Sequence, residues 1–198
     1  MKITAIVGTY RKGGVVDRAV DEILASAQAA GAATNKIYLL DRHIEFCTNC
    51  RTCNQQEGVR RGDCPIQDEM RAILDEVEQS DAIVLASPMN FWSVTALMKR
   101  FIERLVCFAY WPWGKAAPKI RNKRKTKRAV IVASSAAPAL IARLMTGMVG
   151  LMKSAAGLLG AKTTGVLFVG LAAGEPDSDL GQRAKRKAQR LGRALAGR

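Results

Sequence analysis

Short apolar runs alternate with amphipathic segments along most of the chain. Five runs of aliphatic and β-branched residues predict buried strands at 3–8, 35–40, 81–87, 129–133 and 164–170. Apolar residues elsewhere recur every three or four positions, which predicts helices at 16–30, 68–79, 94–108, 139–159 and 179–196. Strands that alternate with helices predict an α/β fold with a doubly wound parallel sheet covered by helices on both faces.

Two segments depart from this alternation. Residues 44–66 have no hydrophobic period and predict a cysteine-rich loop, and residues 108–128 form a connection that is first aromatic and then basic. No internal repeat or boundary signal is present, so we expect a single domain over residues 1–198. The apolar start is too short for a signal-peptide core, and Arg143 and Lys153 interrupt the most apolar later stretch, so we expect a cytoplasmic protein without a membrane span.

The composition adds one unusual feature, which is charge. A chain of 198 residues that is 48% hydrophobic and 24% charged excludes a disordered protein, a collagen-like repeat and a disulfide-stapled miniprotein. The net charge is +14, and its distribution is uneven, because residues 1–95 sum to −3 and residues 96–198 to +17. A half this basic favours an anionic partner, which can be a nucleic acid, a membrane surface or a small anion.

The loop after the first predicted strand has the features of an anion site. It reads Gly-Thr-Tyr-Arg-Lys-Gly-Gly from Gly8 to Gly14 and leads into a predicted helix. Glycines let backbone N–H groups converge on a phosphate, and a helix N-terminus favours negative charge. Thr9 and Arg11 can add side-chain hydrogen bonds. The loop lacks the dinucleotide-binding and Walker fingerprints, so a glycine-rich turn with two solvated cations is an equal alternative at this point.

Three segments together resemble a known family. GTYRKGG at 8–14, DEM at 68–70 and SPMNFWSV at 87–94 resemble the NAD(P)H-dependent FMN reductases of the flavodoxin-like superfamily. The resemblance is closest to the branch that includes iron–sulfur flavoproteins and WrbA-like quinone reductases. It implies a five-stranded sheet in the order 2-1-3-4-5, FMN at the carboxyl ends of the strands, NAD(P)H as co-substrate, and a homodimer or homotetramer.

The resemblance also assigns the contacts to FMN. It implies that the loop 9–16 holds the phosphate and that the isoalloxazine lies between the segment 88–93 and the loop after the fourth strand. The expected FMN-binding residues are Thr9, Arg11, Lys12, Gly13, Gly14, Val15, Val16, Pro88, Met89, Asn90, Phe91, Trp92, Ser93, Ser134 and Ser135.

Two pairs of residues depart from the family pattern. Val15-Val16 stand where Asn-Thr is usual, which removes two side-chain contacts to the phosphate but leaves the backbone N–H groups. Met89-Asn90 replace an aliphatic residue and a tyrosine, so the flavin contact of that tyrosine is absent. Phe91 and Trp92 can supply an aromatic surface instead, although we expect one of the two rings to pack in the core.

Four cysteines form a second candidate site. Cys47, Cys50, Cys53 and Cys64 are spaced C-x2-C-x2-C-x10-C, and thiolates two residues apart can surround one metal centre. A [4Fe-4S] cluster fits the first three positions, although the last gap is longer than in iron–sulfur flavoproteins. Zinc and four reduced thiols are the alternatives. The fifth cysteine, Cys107, lies in a helical pattern and is expected to be buried and inert.

The basic and aromatic segments allow several interpretations. Residues 115–128 contain eight basic side chains and residues 182–198 seven more, but no nucleic-acid-binding motif accompanies them. A solvated surface that steers anionic substrates is therefore favoured over binding of nucleic acid. Four aromatic residues at 108–113 indicate a lid or an oligomer contact, with core packing and a membrane-surface role as alternatives.

The predicted function is electron transfer through FMN. A flavin carries the chemistry while the protein supplies position and electrostatics, and the single histidine, His43, leaves no catalytic triad or histidine metal site to propose. We therefore predict no catalytic side chain. The first hypothesis is an NAD(P)H oxidoreductase with a quinone, a flavin or a similar small molecule as acceptor. The alternative is an electron carrier that docks on a protein partner.

Overall fold

The computed structural model describes residues 1–172 and 179–197. The strands in these ranges are β1 (Lys2–Val7), β2 (Ala33–Tyr38), β3 (Ala82–Pro88), β4 (Ala109–Tyr110), β5 (Lys119–Ile120), β6 (Lys127–Ser134) and β7 (Ala161–Val169). The helices are α1 (Val15–Ala29), α2 (Met70–Glu78), α3 (Ala96–Arg104), α4 (Ala139–Met145), α5 (Met148–Leu158) and α6 (Gln182–Leu195). Arg198, at the end of the predicted domain, lies outside the described residues, and one domain over 1–198 stays a prediction.

Five strands form one parallel sheet in the order β2-β1-β3-β6-β7. Because β6 and β7 are the fourth and fifth predicted strands, the predicted 2-1-3-4-5 order and the flavodoxin-like fold class are confirmed. The strand order reverses between β1 and β3, which are neighbours with a strand on either side. In such a sheet the loops at the carboxyl ends of β1 and β3 diverge and leave a crevice for a ligand.

Helices cover both faces of the sheet, as the apolar strand sequences require. One layer of the core packs α1 and α6 against the sheet, and the other packs α2, α3 and α5. The helices α1 and α6 approach closely at Gly192, where a Cβ atom would lie 2.2 Å from the carbonyl oxygen of Ile23. Glycine at this position therefore sets the distance between the two helices.

The prediction of one continuous helix at 139–159 is wrong. The segment forms two helices, α4 and α5, which meet at an angle of 69°. Thr146 breaks the helix because its backbone is extended and its hydroxyl accepts from the N–H of Met148 and donates to the carbonyl of Trp92. Among the described residues no single helix is long and apolar enough to span a membrane, and this bent pair meets the length and composition only jointly.

The remaining differences from the predicted elements are local. The predicted helix at 94–108 ends at Arg104 and continues as a 3₁₀ turn, Leu105–Phe108. The connection 108–128 contains a two-stranded antiparallel ribbon, because β4 pairs with β5. The last strand begins at Ala161, three residues before the predicted start.

Candidate functional site

A cleft of about 300 Å³ lies at the carboxyl ends of β1, β3 and β6, where the fold leads us to expect a ligand. Its walls come from the loops that follow four strands of the sheet. The residues that line it are Thr9, Tyr10, Arg11, Gly14, Val15, Val16, Pro88, Met89, Asn90, Ser134, Ser135, Ala136 and Ala172. Among the described residues that line the cleft, Arg11 carries the charged side chain and none carries a carboxylate.

The entrance loop is held against the sheet by a close approach of Gly8. A Cβ atom there would lie 2.7 Å from the Cβ of Met98, so glycine lets α3 pack under the loop. The N–H of Gly8 donates to Ala86, and its carbonyl accepts from the Thr95 hydroxyl, which also caps α3. These bonds join the loops after β1 and β3 and fix the width of the cleft between them.

The anion-binding end of the cleft is the N-terminus of α1. Helix α1 begins at Val15, so the N–H groups of Val15 and Val16 have no acceptor inside the helix and belong to its positive end. Both valine side chains are buried in the core, so their backbone N–H groups are the polar groups that they offer to the cleft. Thr9 closes a tight turn, because its hydroxyl accepts from the N–H of Arg11.

Asp17 stabilises the conformation of this loop. Its carboxylate is buried and accepts from the N–H of Gly13 at 2.6 Å and from the hydroxyl of Tyr38 at 2.9 Å. Lys36 forms an ion pair with it, and although burial opposes the effect, hydrogen bonds to Asp17 and Asp21 raise the pKa of Lys36. Gly13 adopts φ +75°, the left-handed region that favours glycine, and so presents its N–H to Asp17.

Two residues expected at the phosphate lie outside the lining of the cleft. Gly13 uses its N–H for Asp17, and Lys12 places its ammonium 2.6 Å from Asp41 and over the ring of Tyr38. The other predicted residues of this loop, including Thr9, Arg11 and Gly14, line the cleft together.

The opposite wall is the segment after β3. Pro88, Met89 and Asn90 line the cleft, and the N–H of Met89 donates to the carbonyl of Ser134. Phe91 and Trp92 then form a tight turn that is closed by two hydrogen bonds between Asn90 and Ser93. This turn lies outside the lining.

Neither aromatic ring of that turn packs in the core. Phe91 is 98% exposed and Trp92 is 54% exposed, so the expectation that one of them is buried is wrong. The physical reason is the backbone, because both residues have φ values in the left-handed region and direct their rings outwards.

The loop after β6 forms the floor. Ser134 and Ser135 are buried, and Ser135 donates its hydroxyl to Ala137 and its N–H to Val169. Sequence reasoning missed Tyr10, Ala136 and Ala172, which also line the cleft. Tyr10 lies within the predicted loop, whereas Ala172 follows the last strand and carries no chemical signal of its own.

These features fit the two ends of FMN. A dianionic phosphate suits a helix N-terminus with a nearby guanidinium and no carboxylate. A planar ring suits the part of the cleft that the neighbouring segments Pro88–Asn90 and 134–136 line, where backbone groups and small side chains leave room.

The four clustered cysteines line a second cavity, of about 240 Å³. All four are free thiols, with Cys53 buried and Cys50 exposed. Burial, together with the neighbouring cysteines, raises the pKa of Cys53 to about 11. No group of three or more His, Cys, Asp or Glu side chains in the part of the chain described is arranged to hold a metal ion. The donor set is present, but in this arrangement it is not a metal-ligand set.

Long-range side-chain contacts hold the wall of this cavity. Arg104 pairs with Asp68 in the interior and donates to the sulfur of Cys64 at 3.5 Å. Although burial opposes the effect, hydrogen bonds from Arg104 and from the backbone N–H groups of Glu45 and Met70 lower the pKa of Asp68. Asp68 belongs to the DEM segment, and its role here is to anchor the cysteine loop.

The aromatic segment after α3 closes over the same cavity. Trp111 lines it, and the guanidinium of Arg51 lies between two rings, 4.0 Å from Trp111 and 4.2 Å from Trp113. Arg51 also donates to the carbonyl oxygens of Trp111 and Pro112. The fifth cysteine, Cys107, is buried as predicted.

The fold and the cleft together define a flavodoxin-like protein with a nucleotide-type cleft at the carboxyl ends of its strands. More specifically, the chain belongs to the NADPH-dependent FMN reductase family, whose family model matches residues 1–162. The predicted family is therefore confirmed.

Known proteins resemble the chain in sequence and in fold. An iron-sulfur flavoprotein of Archaeoglobus fulgidus is 35% identical over 112 residues, which are 57% of this chain and 49% of that protein. The chain thus spans about half the length of this relative.

Two solved structures show the same fold. An FMN-dependent NADH-azoreductase of Bacillus anthracis in complex with FMN superposes with a TM-score of 0.72 at 13% identity, over 99% of this chain and 100% of the other. An NAD(P)H:quinone oxidoreductase of Methanothermobacter marburgensis gives a TM-score of 0.68 at 18% identity, over 98% and 96%.

Proposed function

We propose that the protein is an FMN-dependent NAD(P)H oxidoreductase that passes electrons from a nicotinamide to a quinone, a flavin or a similar small acceptor. The observation that carries the proposal is the cleft, which has a helix N-terminus and Arg11 in its wall and no carboxylate in its described lining. Bound FMN would supply the redox chemistry by taking hydride at its N5 atom.

Each wall of the cleft has a separate task in this proposal. The N–H groups at the start of α1 and the guanidinium of Arg11 bind the phosphate. Met89 and Asn90 on one side, with Ser134 and Ser135 on the other, position the ring. The chain supplies binding and orientation, and no side chain is required as a general acid or base.

The test is FMN binding followed by turnover. We expect the purified chain to bind FMN with quenched flavin fluorescence and to oxidise NADH or NADPH with a soluble quinone. Arg11→Gln should weaken FMN binding about 10- to 100-fold, because one charge-assisted hydrogen bond contributes roughly 1.5–3 kcal/mol. Arg71→Gln, on exposed α2 surface and away from the cleft, is the matched control and should bind FMN normally. A chain that cannot be loaded with FMN would contradict the proposal.

We also propose that the cysteine loop rearranges to bring Cys47, Cys50, Cys53 and Cys64 around a [4Fe-4S] cluster, with zinc as the alternative. The four thiols on one cavity and the name of the Archaeoglobus relative support it. No step proposed above depends on the cluster. Anaerobic purification with measurement of iron, acid-labile sulfide and zinc tests it, and the Cys53→Ser variant should lose the metal. A metal-free chain with four titratable thiols in this loop would contradict both metals.

The alternative function is an electron carrier that docks on a protein partner, and a cluster at the four cysteines would support it. Turnover separates the two functions, because a carrier holds FMN but does not oxidise NAD(P)H with small acceptors.

A homodimer or homotetramer and a cytoplasmic location stay predictions. Light scattering of the purified chain tests the oligomeric state.

A further inference from the structure

Helix α4 turns an apolar face towards solvent. It packs on the protein through the buried Ala142, and its large side chains are exposed: Leu140, Ile141, Leu144 and Met145. Leu144, for example, is 82% exposed. A short helix in a globular domain normally buries its apolar side chains. A contiguous exposed group of this kind indicates a surface that is covered in the functional state.

Neighbouring residues extend this face beyond the helix. The Thr146 hydroxyl donates to the carbonyl of Trp92, which places the exposed Phe91–Trp92 turn beside the end of α4. At the other end, the N–H of Leu171 donates to Ala137, and the Leu171 side chain is exposed. The turn 91–92 and Leu171 all have left-handed backbones, which bulky side chains rarely adopt, so the chain holds these apolar groups outwards against its local preference.

A cluster of cations borders the apolar face. Arg143 projects from α4, and Arg183, Lys187 and Arg190 project from α6. Helices α4 and α6 both pack beside β7, because Ala139 of α4 abuts Gly170 and Leu191 of α6 abuts Gly165. Burial lowers the pKa of Lys187, and the like charges of Arg143, Arg190 and Arg183 lower it further. Neither α4 nor α6 contains an Asp or a Glu. These cations therefore favour a dense negative charge outside the protein.

We propose that this surface, formed by α4, the turn 91–92, Leu171 and the cationic side of α6, binds an anionic lipid bilayer. Aliphatic and aromatic side chains that enter the headgroup boundary next to Arg and Lys are the combination that peripheral membrane proteins use. The apolar side chains would enter the bilayer while the four cations contact lipid phosphates. The proposal does not depend on the flavin or on the cysteines.

Other occupants fit the surface less well. A second copy in a two-fold dimer would use the same patch on both subunits, which brings the cation cluster towards its own image. A nucleic acid would satisfy the cations through its phosphates but would leave the aliphatic side chains of α4 against a polar backbone. Of these three occupants, only the bilayer offers apolar depth and negative charge together.

The test is flotation of the full chain with phosphatidylcholine vesicles, with and without phosphatidylglycerol. We expect binding to the anionic vesicles that weakens with salt, and little binding to the neutral ones. Leu144→Glu should lower the partition coefficient roughly tenfold, because it places a charge where an apolar side chain enters the bilayer. Val59→Glu, which changes an equally exposed residue in the cysteine loop, is its control and should bind like the unchanged chain.

The contribution of the cations is tested by a second matched pair. Arg143→Gln with Lys187→Gln should lower binding by about fivefold for each charge removed. Lys123→Gln with Lys162→Gln removes the same charge from other exposed positions and should have little effect. Circular dichroism and urea midpoints identify variants that fail to fold, and these are replaced by Leu140→Gln or Arg190→Gln.

Three results would overturn the proposal. Equal binding to neutral and anionic vesicles removes the role of the cations. Unchanged binding of folded Leu144→Glu removes the role of the apolar face. If Leu144→Glu instead converts a dimer into monomers in sedimentation velocity, the face belongs to a second copy of the chain.

Discussion

The cleft at the ends of the strands and the cavity lined by the cysteines are built from different parts of the chain. Four loops that directly follow strands surround the cleft, and backbone atoms and small side chains form much of its lining. The cysteine cavity is closed by segments far apart in sequence, with cysteines from 47–64 on one side and residues 104–111 on the other. The sheet positions the first cavity, whereas side-chain contacts hold the second.

Those side-chain contacts are few and specific. Asn54 donates to the carbonyl oxygens of Val106 and Ala109. Arg121 donates to the backbone carbonyl oxygens of Cys53 and Cys107. Together with the Arg104–Asp68 pair they tie the cysteine loop to the segment after α3. A single substitution is therefore expected to disturb the cysteine cavity, while the cleft, which depends on the sheet, should tolerate more.

The largest effect is expected from Arg104→Met. Removing the guanidinium leaves the carboxylate of Asp68, which is fully buried, without its ionic partner. The free energy of unfolding should fall by about 3–5 kcal/mol, as for other broken buried pairs. Urea denaturation followed by tryptophan fluorescence measures it, and the double variant Arg104→Met/Asp68→Leu should recover much of the loss.

The same variant separates the two cavities. Protein that remains folded should expose Cys53 and Cys64 to a thiol reagent but bind FMN nearly as well as the unchanged chain, since no residue of the pair lines the cleft. A parallel loss of FMN affinity and thiol protection would show that the two cavities are one cooperative unit. Arg71→Met, which removes an exposed arginine, is the control and should change stability by less than about 0.5 kcal/mol.

A smaller effect is expected from Asp17→Asn, the corresponding change beside the cleft. The amide keeps the size of the carboxylate but weakens its contacts to Gly13 and leaves the ammonium of Lys36 with less compensation. We expect a loss of roughly 1–3 kcal/mol in the free energy of unfolding and a several-fold weaker affinity for FMN. Isothermal titration with FMN measures the second quantity. Asp21→Asn, whose exposed carboxylate pairs with the same Lys36, should leave FMN affinity unchanged.

The sequence could predict those parts of the molecule that depend on short repeating patterns. The central strands of the main sheet are runs of apolar residues, and the family resemblance supplies the strand order. The break between α4 and α5 was missed because Leu144, Met145 and Met148 continue the helical spacing across Thr146. The strands β4 and β5 were missed because two residues each are too short to show a period.

Local sequence patterns could not predict the pairings between side chains that are distant along the chain. Arg104 and Asp68 are 36 positions apart, and nothing in either local sequence names the other as its partner. Asp17 looks like an ordinary acidic residue in the first turn of a helix, yet it is buried and holds the loop at Gly13. Phe91 and Trp92 are exposed because their backbones adopt left-handed angles, and no residue in the segment is of a type that would predict such angles.

Acid should lower the stability of the chain through the Arg104–Asp68 pair beside the cysteine cavity. The pKa of Asp68 is lowered in the folded chain, so its contribution to stability is present above its unfolded pKa, about 3.9, and is lost as the pH falls through the lower folded value. Urea midpoints of the unchanged chain should therefore decrease below about pH 4. The variant Asp68→Asn should show a shallower decrease, to which Glu22, Glu69, Glu76 and Asp179, whose pKa values are also lowered, still contribute. Identical slopes for the two proteins would contradict the assigned role of the Arg104–Asp68 pair.

The smallest effect on FMN binding is expected where the cleft departs from its family. Val16→Thr restores a hydroxyl near the start of α1, but Val16 is buried in the core that α1 shares with the sheet. Burying the hydroxyl should cost about 1–3 kcal/mol unless it bonds to the phosphate, so loading with FMN should stabilise the variant more than the unchanged chain. Thermal shifts with and without FMN measure this difference, and Val20→Thr, one turn further along the buried face of α1, is the control. An equal FMN-induced shift in all three proteins would mean that the backbone N–H groups alone hold the phosphate and that the side chain at position 16 has only a packing role.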